Sequence, residues 1–372
     1  MTTDRRALLV YIEPTPYILG LIEQIRRISP IRLDVGFLKE NLSQEWGLEV
    51  PGYCRFLDRS VSRSTRALFA DVRRSQIALV HLCGWGGDRR LPLLMAMARL
   101  RGVPVFLESD TQAPFNEARA RKVAKRLAYP LLFRLPRMFF PGGSRQAAYL
   151  QGFGVPERRI RTVNMTVDVD AIAAFANNFD QDRRDEWRSS LGLPRNATVF
   201  LFVGRLEAHK GISYLLDQFG QIAEEFPSAR MVLVGDGSMR SDVRTVADAC
   251  PWLRAPGRLK GNDLLSAYCS SDVLVLPSAF EPWGLVVNEA MAAGLPAIIS
   301  DRVGCGADLV VGRDTGVIYD FSKRGALGEA MRQFLVDTES LRRMGCNARS
   351  LISGWTLQAE ATRICCEWSE VL

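Results

Sequence analysis

The chain has 372 residues, of which 47% are apolar and 24% are charged, and it carries a formal net charge of +7. This balance is that of a globular protein with a sizeable core, and the length suits two or three domains. The composition excludes a disordered chain, and no apolar run reaches the roughly 18 residues that a membrane-spanning helix needs.

The positive charge is concentrated in the first half of the chain. Residues 1–170 hold 27 Lys and Arg against 16 Asp and Glu, a net of +11, while the remaining residues hold 21 against 25, a net of −4. A basic half predicts an anionic partner: nucleic acid, phospholipid or a phosphorylated substrate.

The N-terminal stretch and the cysteines both indicate a cytosolic protein. "MTTDRRALLVYIE" has neither the apolar core nor the small-residue cleavage site of a secretory signal. The eight cysteines form no CxxC pair and no Cys/His spacing typical of zinc, so we expect buried free thiols. With two histidines in the chain, His81 and His209, a histidine-rich metal site is excluded.

In the first half, short apolar runs alternate with amphipathic stretches. This alternation predicts successive βα units around a parallel sheet. The predicted strands are 7–12, 31–38, 77–83, 104–109, 137–142 and 160–165.

A polar segment interrupts this alternation at 177–198, and the alternation then starts again. The predicted strands of the second half are 198–205, 230–236, 272–278 and 296–301. We therefore predict an α/β chain of two doubly wound, Rossmann-like domains with a hinge near 168–196 and a cleft between them. The first domain is expected to span residues 1–175 with a C-terminal helix at about 357–372, and the second residues 176–356.

The loop after the strand at 198–205 carries a glycine and two cations. In "FVGRLEAHKGISYLL", Gly204 ends the strand, and Arg205 and Lys210 precede the next helix. Two cations beside a helix N-terminus suit a diphosphate, but the pattern also fits a loop with solvated charges. His209 is interpreted as an exposed loop residue rather than a base. In the following "VLVGDG", Gly235 favours a plain strand-to-helix turn whose backbone a nucleotide could pass closely.

The segment "PSAFEPWGLVVNEAMAAGLP" (277–296) places two glutamates eight positions apart. A turn at Pro282 and Gly284 separates a buried strand from a helix, so Glu281 lies just before the positive end of that helix. Glu289 lies about 7–8 Å farther along the helix axis. Its apolar neighbours predict limited solvent, and a carboxylate there needs a hydrogen-bond partner. A sugar, a diphosphate and a ribose have this layout.

Together these motifs resemble the donor domain of family 4 of the retaining glycosyltransferases. The matching segments are "FVGRLEAHKGI", "LVGDG", "SDVLVLPSAFEPWGLVVNEAMAAGLPAIISD" and "VGCGADLV", within about residues 198–320. Glu281 and Glu289 stand in the places of the family's Glu-x7-Glu signature. The resemblance implies the GT-B fold of two facing Rossmann-like domains and a nucleotide diphosphate sugar as the donor substrate.

The resemblance also implies a role for each matching residue. Arg205 and Lys210 would bind the donor diphosphate, Glu281 would hold hydroxyls of the transferred sugar, and Glu289 would bind the ribose. The family often has phenylalanine at position 283, so the tryptophan here puts the sugar selectivity in question. The other expected donor-binding residues lie near the phosphates or beside the base: Gly204, Gly235, Arg258, Leu259, Trp283, Gly284 and Leu285.

The first half departs from the family pattern. "VYIEPTPYILG" lacks the glycines common after the family's first strand, which puts that loop's contact with donor or acceptor in question. Many members carry a histidine after the strand matching "PVFLES", and the corresponding position here is Asp110 or Glu108. Asp110 is interpreted either as a catalytic residue that orients a sugar hydroxyl or the acceptor, or as a helix cap. His81 is interpreted as a core histidine, and "DVD" (168–170) as a structural turn rather than a metal site.

The stretch 116–140 holds seven Lys and Arg interleaved with leucines and aromatic residues. On a helix, this sequence gives a basic face beside an apolar one, which is typical of a helix that lies on an anionic membrane surface. The alternative is an ordinary surface helix packed on its sheet. No nucleic-acid-reading motif accompanies the charge, so nucleic acid is not expected as a partner.

The sequence therefore predicts a cytoplasmic retaining glycosyltransferase, peripheral at the inner face of the membrane if the basic stretch binds lipid. It is expected to move a hexose from a nucleotide diphosphate sugar to a lipid-linked or surface-glycan acceptor, with no metal and no cofactor. Two alternatives stay open: a nucleotide-sugar epimerase of similar architecture, and a catalytically silent binding protein.

Overall fold

The computed structural model describes residues 6–372 apart from 41–47, 58–62, 64, 65, 69, 71, 73–75 and 116. Residues 1–5 of the N-terminal stretch and residue 116 of the basic stretch therefore lie outside the described residues. The chain divides into two compact units, residues 1–167 with 357–372 and residues 168–356.

The first unit is built on a parallel sheet of six strands in the order β3-β2-β1-β4-β5-β6. The strands are β1 (Arg6–Tyr11), β2 (Arg32–Phe37), β3 (Cys54–Phe56), β4 (Ile77–Cys83), β5 (Val105–Ser109) and β6 (Met138–Pro141). The helices with fully described bounds are α1 (Pro16–Ile28), α2 (Arg90–Leu100), α3 (Arg119–Leu132), α4 (Ser144–Gln151) and α14 (Leu357–Ser369).

Both faces of this first sheet are covered, which explains its nearly continuous apolar strands. Leu8 and Val10 of β1 face a core shared with α2, while Ala7 and Leu9 face a core shared with α1 and α14. The buried residues of α14 lie along one face of the helix: Leu357, Glu360, Ala361, Ile364 and Trp368. That apolar stripe fixes the C-terminal helix to the first unit.

The second unit has a parallel sheet in the order β12-β11-β10-β7-β8-β9. Its strands are β7 (Thr198–Val203), β8 (Ala229–Val234), β9 (Leu253–Gly257), β10 (Val273–Leu276), β11 (Ala297–Ser300) and β12 (Gly316–Tyr319). Its helices are α5 (Val169–Asn177), α6 (Gln181–Ser190), α7 (Ile212–Glu225), α8 (Arg240–Ala249), α9 (Gly261–Ser270), α10 (Leu285–Ala292), α11 (Gly306–Leu309), α12 (Ala326–Val336) and α13 (Thr338–Ile352).

Both sheets have the same order of filling. The chain starts near the middle, moves outward on one side, and then returns to fill the other side, so β1 neighbours β4 and β7 neighbours β10. In doubly wound sheets, ligands bind beyond the carboxyl ends of the strands at this junction. Each unit therefore has one candidate ligand-binding position, at this junction of its sheet.

Two expectations differ from the structure along the chain. Residues 160–165 form no strand, because Ile160 makes a single bridge to Phe139 and Asn164 then takes a left-handed conformation with φ +64°. The break between the units falls after Val167, where we expected it after residue 175, because α5 packs against α9 and α10 of the second unit. The predicted hinge region 168–196 accordingly holds two helices, α5 and α6.

The cysteines are free, but most of them are not buried. All eight lie in the described part of the chain and none forms a disulfide. Cys305 is buried, whereas Cys346 and Cys366 are exposed because they lie on the outer faces of α13 and α14. Within the described residues, no helix combines the length and the apolar character needed to cross a bilayer.

Candidate active site

The loop after β7 is held against the end of β10 by a glycine. It runs from Gly204 through a short 3-10 turn (Ala208–Lys210) to Gly211, where φ is +75°. A Cβ on Gly211 would lie 2.3 Å from the carbonyl oxygen of Pro277 at the end of β10, so no other residue fits there. The backbone N–H of Ala279 also donates to the carbonyl of His209 at 2.8 Å. Lys210 is thereby placed at the junction of β7 and β10.

At this junction Lys210 and Glu281 form an ion pair. Their side chains are 13% and 16% exposed, so the pair is largely withdrawn from water. The hydroxyl of Ser278 donates to the Glu281 carboxylate at 3.3 Å. The backbone carbonyl of Glu281 accepts from the N–H of Gly304 at 3.0 Å, which fixes the position of the loop. The two residues predicted to bind neighbouring parts of the donor thus contact each other.

The N-terminus of α10 lies beside this ion pair. Gly284 precedes the helix with φ +101°, and a Cβ there would lie 3.0 Å from Val303 and 3.2 Å from Leu276. The Cγ atom of Glu281 would lie 3.4 Å from the same Cβ. The first N–H groups of a helix have no partner within the helix, and they carry its positive partial charge. An anion bound next to Glu281 and Lys210 would therefore meet Leu285 at the start of α10.

Trp283, one residue before the helix cap, turns its side chain into the unit. The indole is 2% exposed, and its Nε1–H donates to Oδ1 of the buried Asn288 at 3.0 Å. The ring stacks on Trp355, with ring centroids 5.8 Å apart. The backbone, rather than the indole, is therefore the part of Trp283 placed near the helix N-terminus.

Glu289 has the partner that its apolar surroundings require. The phenol of the fully buried Tyr268, on α9, donates to the half-buried Glu289 carboxylate at 2.5 Å. Burial raises the pKa of Glu289, and the hydrogen bond from Tyr268 partly opposes this rise. Burial, followed by the nearby Glu289, also raises the pKa of Tyr268 well above its ordinary value.

The ends of β8 and β9 complete the same edge of the sheet. A Cβ on Gly235 would lie 1.8 Å from the carbonyl oxygen of Gly204, so the loops after β7 and β8 can pack only with glycine there. The N–H of Gly235 donates to the carbonyl of Gly257 at 2.9 Å, which brings in the end of β9. The exposed Arg258 and the half-buried Leu259 follow that strand.

The other two basic residues of the β7 loop, Arg205 and His209, are exposed. Arg205 follows directly after Gly204, and its side chain is open to solvent. Partial burial, followed by the positive charges of Lys210 and Arg205, lowers the pKa of His209. His209 is thus an exposed and mainly neutral residue at pH 7, in agreement with the sequence interpretation.

The two acidic candidates at the end of β5, in the first unit, have different surroundings. Glu108 lies within the strand and accepts hydrogen bonds from Nε2 of His81 at 2.8 Å and from the phenol of Tyr11 at 3.3 Å. His81 is fully buried and stacks on Phe140, as expected for a core histidine. Asp110 lies beyond the strand end and is exposed.

Asp110 does not cap a helix, because α3 begins only at Arg119 and is preceded by Ala118. The capping interpretation was therefore wrong. The "DVD" segment is structural, since Asp168 caps α5 by accepting from the N–H of Ala171 at 3.0 Å. No group of three or more His, Cys, Asp or Glu in the described part of the chain is arranged to hold a metal ion.

Sequence reasoning missed three side chains of this site. Tyr268 binds Glu289, Ser278 binds Glu281, and Asn288 orients Trp283. The need of Glu289 for a partner was a usable signal, but its sequence distance of 21 residues from Tyr268 gave no means of choosing that residue.

Two doubly wound units are the architecture of the GT-B fold. Comparison with known proteins supports this fold and shows which proteins the chain resembles. The Anabaena protein Alr3699/HepE, solved in complex with UDP, superposes with a TM-score of 0.78 over 98% of this chain and 100% of its own, at 15% identity. At this identity the likeness shows the fold. Residues 183–351 match the family model described as glycosyl transferases group 1.

Curated glycosyltransferases also resemble parts of this chain. An uncharacterised glycosyltransferase of Methanocaldococcus jannaschii is 34% identical over 158 residues, which are 41% of this chain and 39% of that protein. The UDP-Gal:alpha-D-GlcNAc-diphosphoundecaprenol alpha-1,3-galactosyltransferase of Escherichia coli is 26% identical over 324 residues, 85% of this chain and 81% of that protein. Four of the relatives are matched over only 34% to 57% of their own length.

Proposed function

We propose that this protein is a retaining glycosyltransferase of family 4 that uses a nucleoside diphosphate sugar as donor and needs no metal ion. The observation that carries the proposal is the contact between Lys210 and Glu281 at the junction of β7 and β10, beside the N-terminus of α10. This is the position at which doubly wound sheets bind ligands.

The donor is placed along this edge of the sheet with its diphosphate at the start of α10 and its ribose farther along the helix. Its diphosphate binds Lys210, Arg205 and the first N–H groups of α10, which provide both point charges and helix-end donors. Its sugar hydroxyls bind Glu281, and its ribose binds Glu289, about 7–8 Å farther along the helix. The neighbour solved with UDP makes uracil the first base to test.

On donor binding, Lys210 and Glu281 exchange each other for groups of the donor. In the structure, Lys210 is neutralised by Glu281. An arriving diphosphate replaces the carboxylate as the partner of Lys210, and the released Glu281 then accepts hydrogen bonds from sugar hydroxyls. Because neither charge is left unpaired in a poorly solvated place, the exchange avoids the cost of burying a lone charge.

In the reaction, an acceptor hydroxyl attacks the anomeric carbon from the face that the diphosphate leaves. The anomeric C–O bond breaks, the new C–O bond forms on the same face, and the departing phosphate oxygen takes the acceptor proton. Negative charge grows on the β-phosphate, where Lys210, Arg205 and the α10 amides stabilise it. Asp110, beyond the end of β5 in the first unit, orients a hydroxyl of the sugar or the acceptor.

The acceptor we propose is a lipid-linked or surface glycan that receives a hexose. Support comes from the E. coli relative, whose name describes a GlcNAc-diphosphoundecaprenol acceptor. The basic first half of the chain, with its net charge of +11, also suits an acceptor that carries a diphosphate.

Calorimetric titration with UDP, other nucleoside diphosphates and their sugar conjugates tests the proposal. We expect at least one diphosphate to bind, and Glu289→Gln to weaken it about 10–100-fold because charge-assisted hydrogen bonds to the ribose are lost. Glu329→Gln, at an exposed position on α12, is the matched control. Absence of binding by every nucleotide, or equal affinity in all three proteins, would refute the site.

Product analysis separates the proposal from its rivals. A transferase should release the diphosphate only when a suitable acceptor is present, with retention at the anomeric carbon. Conversion of the nucleotide sugar to a stereoisomer without an acceptor would identify an epimerase. Tight diphosphate binding without any turnover of a panel of donors and acceptors would favour the silent binding protein.

A further inference from the structure

Helix α3 turns an apolar stripe toward solvent. Val123, Leu127 and Leu131 follow each other at intervals of four residues, so they lie on one face. They are 51%, 72% and 63% exposed. None of the fourteen residues of α3 is buried. A surface helix normally hides such a stripe against its core, so this one is free to contact something else.

The opposite side of α3 packs on the first unit and fixes the rotation of the helix. Tyr129 contacts the rings of Trp85, Phe133 and Phe153, with centroids 5.9, 5.1 and 5.0 Å apart. Lys125, on the same side, pairs with Glu117. Because these contacts occupy the inner side, the apolar stripe cannot turn inward without breaking them.

Cations flank the exposed stripe. The helix contains no Asp or Glu, and four of its basic side chains are exposed: Arg119, Arg121, Lys122 and Arg126. At 100° per residue, Arg119 and Arg126 fall on one flank of the stripe and Arg121 on the other. Long basic side chains in this position can reach polar groups while apolar side chains between them are buried.

We propose that α3 docks the protein on an anionic lipid surface. An apolar stripe flanked by arginines matches a lipid–water interface, where leucines enter the acyl boundary and guanidinium groups meet phosphates. The charge complementarity selects this occupant, because α3 itself contains no acidic residue and its acidic neighbour Glu117 is already engaged by Lys125 and by Arg121, the latter at 3.7 Å. The inference rests on this helix alone and does not depend on the proposed glycosyl transfer.

Vesicle sedimentation tests the docking with two variants of the full chain. The first replaces the flanking cations (Arg119→Gln, Arg121→Gln, Lys122→Gln, Arg126→Gln), and the second replaces the stripe (Leu127→Gln, Leu131→Gln). The charge control removes four exposed arginines of the second unit, Arg240, Arg244, Arg313 and Arg324, and the apolar control is Val336→Gln. All substitutions are at exposed positions, and thermal unfolding checks that each variant is folded.

We expect the wild type to sediment with phosphatidylglycerol-containing vesicles and not with pure phosphatidylcholine, and binding to weaken as salt is added. Removing the four cations should lower the partition coefficient about 100-fold or more, and the stripe variant about 10-fold or more, while both controls bind like the wild type. Failure of the wild type to bind anionic vesicles at low salt would overturn the proposal. Loss in the charge control as well as in the cation variant would also overturn it, because attraction would then be non-specific. Vesicle binding by the stripe variant as strong as that of the wild type would also overturn the proposal.

Discussion

Glu281 and Lys210 form an ion pair with each other, and this makes their substitutions informative. Glu281→Gln should keep or improve UDP affinity, because Lys210 loses its competing partner. It should lower the rate of glycosyl transfer about 10²-fold or more, because the sugar loses a charged acceptor. Calorimetry and a transfer assay on one preparation would check both. A marked loss of UDP affinity in this variant would contradict the assignment of Glu281 to the sugar.

A buried carboxyl, Glu360 on α14, predicts a dependence of stability on pH. Its side chain is buried, and burial and the nearby Glu108 hold its pKa well above the ordinary value. When the pKa of a carboxyl is higher in the folded than in the unfolded state, the folded state loses stability as the pH rises through the folded pKa. The amide introduced by Glu360→Gln does not titrate, so the stability of this variant does not fall with pH for this reason.

We therefore expect the free energy of unfolding of the wild type, relative to Glu360→Gln, to be most favourable below about pH 4 and to decline toward pH 8. Urea unfolding at a series of pH values measures it, with Glu370→Gln at the exposed C-terminus as control. A constant difference between wild type and Glu360→Gln from pH 4 to pH 8 would contradict the expectation.

At the residue scale, sequence reasoning identified Glu289 and the charged side chains that follow strand ends, but it missed the partners of Glu281, Glu289 and Trp283. Arg205, Lys210 and Glu281 follow strand ends, where local sequence determines the position. Tyr268 and Asn288 act from inside helices, and their contacts depend on how α9 and α10 pack. A one-dimensional pattern does not contain that packing.

Helix α6 is anchored by a buried arginine, which predicts a large effect on stability. Arg188 is 3% exposed and donates to the carbonyls of Ser270 and Ala197 at 2.9 and 3.0 Å, and to Asp272 at 2.8 Å. Arg188→Ala should lower the free energy of unfolding by about 3–5 kcal/mol, since it leaves buried acceptors and a carboxylate with fewer partners.

Chemical denaturation of Arg188→Ala beside Arg183→Ala, an exposed neighbour on the same helix, checks this expectation. The control should change stability by no more than about 0.5 kcal/mol. Equal stability of the two variants would show that the network around Asp272 does not hold α6 in place.

At the element scale, the central strands and the edge strand β6 were predictable, and the other three edge strands were not. The strands β1, β4, β7 and β8 are long apolar runs because both of their faces are covered. The edge strands β3, β9 and β12 are short, and β9 contains a proline and a glycine, which are unfavourable inside a sheet. The wrong strand at 160–165 has the apolar composition of a strand, but the left-handed Asn164 ends its extended backbone.

At the scale of the whole molecule, the repeated βα alternation was enough to predict two doubly wound units. The return of the C-terminal helix to the first unit depends on the apolar stripe of α14, which contacts β-sheet residues hundreds of positions earlier. The strand order then places the candidate donor site at the junction of β7 and β10, with the acidic candidate Asp110 in the other unit. The chemistry of transfer depends on which groups stabilise the departing diphosphate.

The most direct test of that chemistry is turnover of the nucleotide sugar in excess EDTA after dialysis. We predict that the wild type keeps its rate, because Lys210, Arg205 and the α10 amides supply the positive charge. Lys210→Ala and Arg205→Ala should each lose about 10²–10³-fold in turnover, and Lys210→Arg should recover little, since a planar fork replaces a compact ammonium group. Arg244→Ala, exposed on α8, should keep the wild-type rate. Complete loss of wild-type turnover in EDTA, restored by added magnesium or manganese, would contradict a metal-independent mechanism.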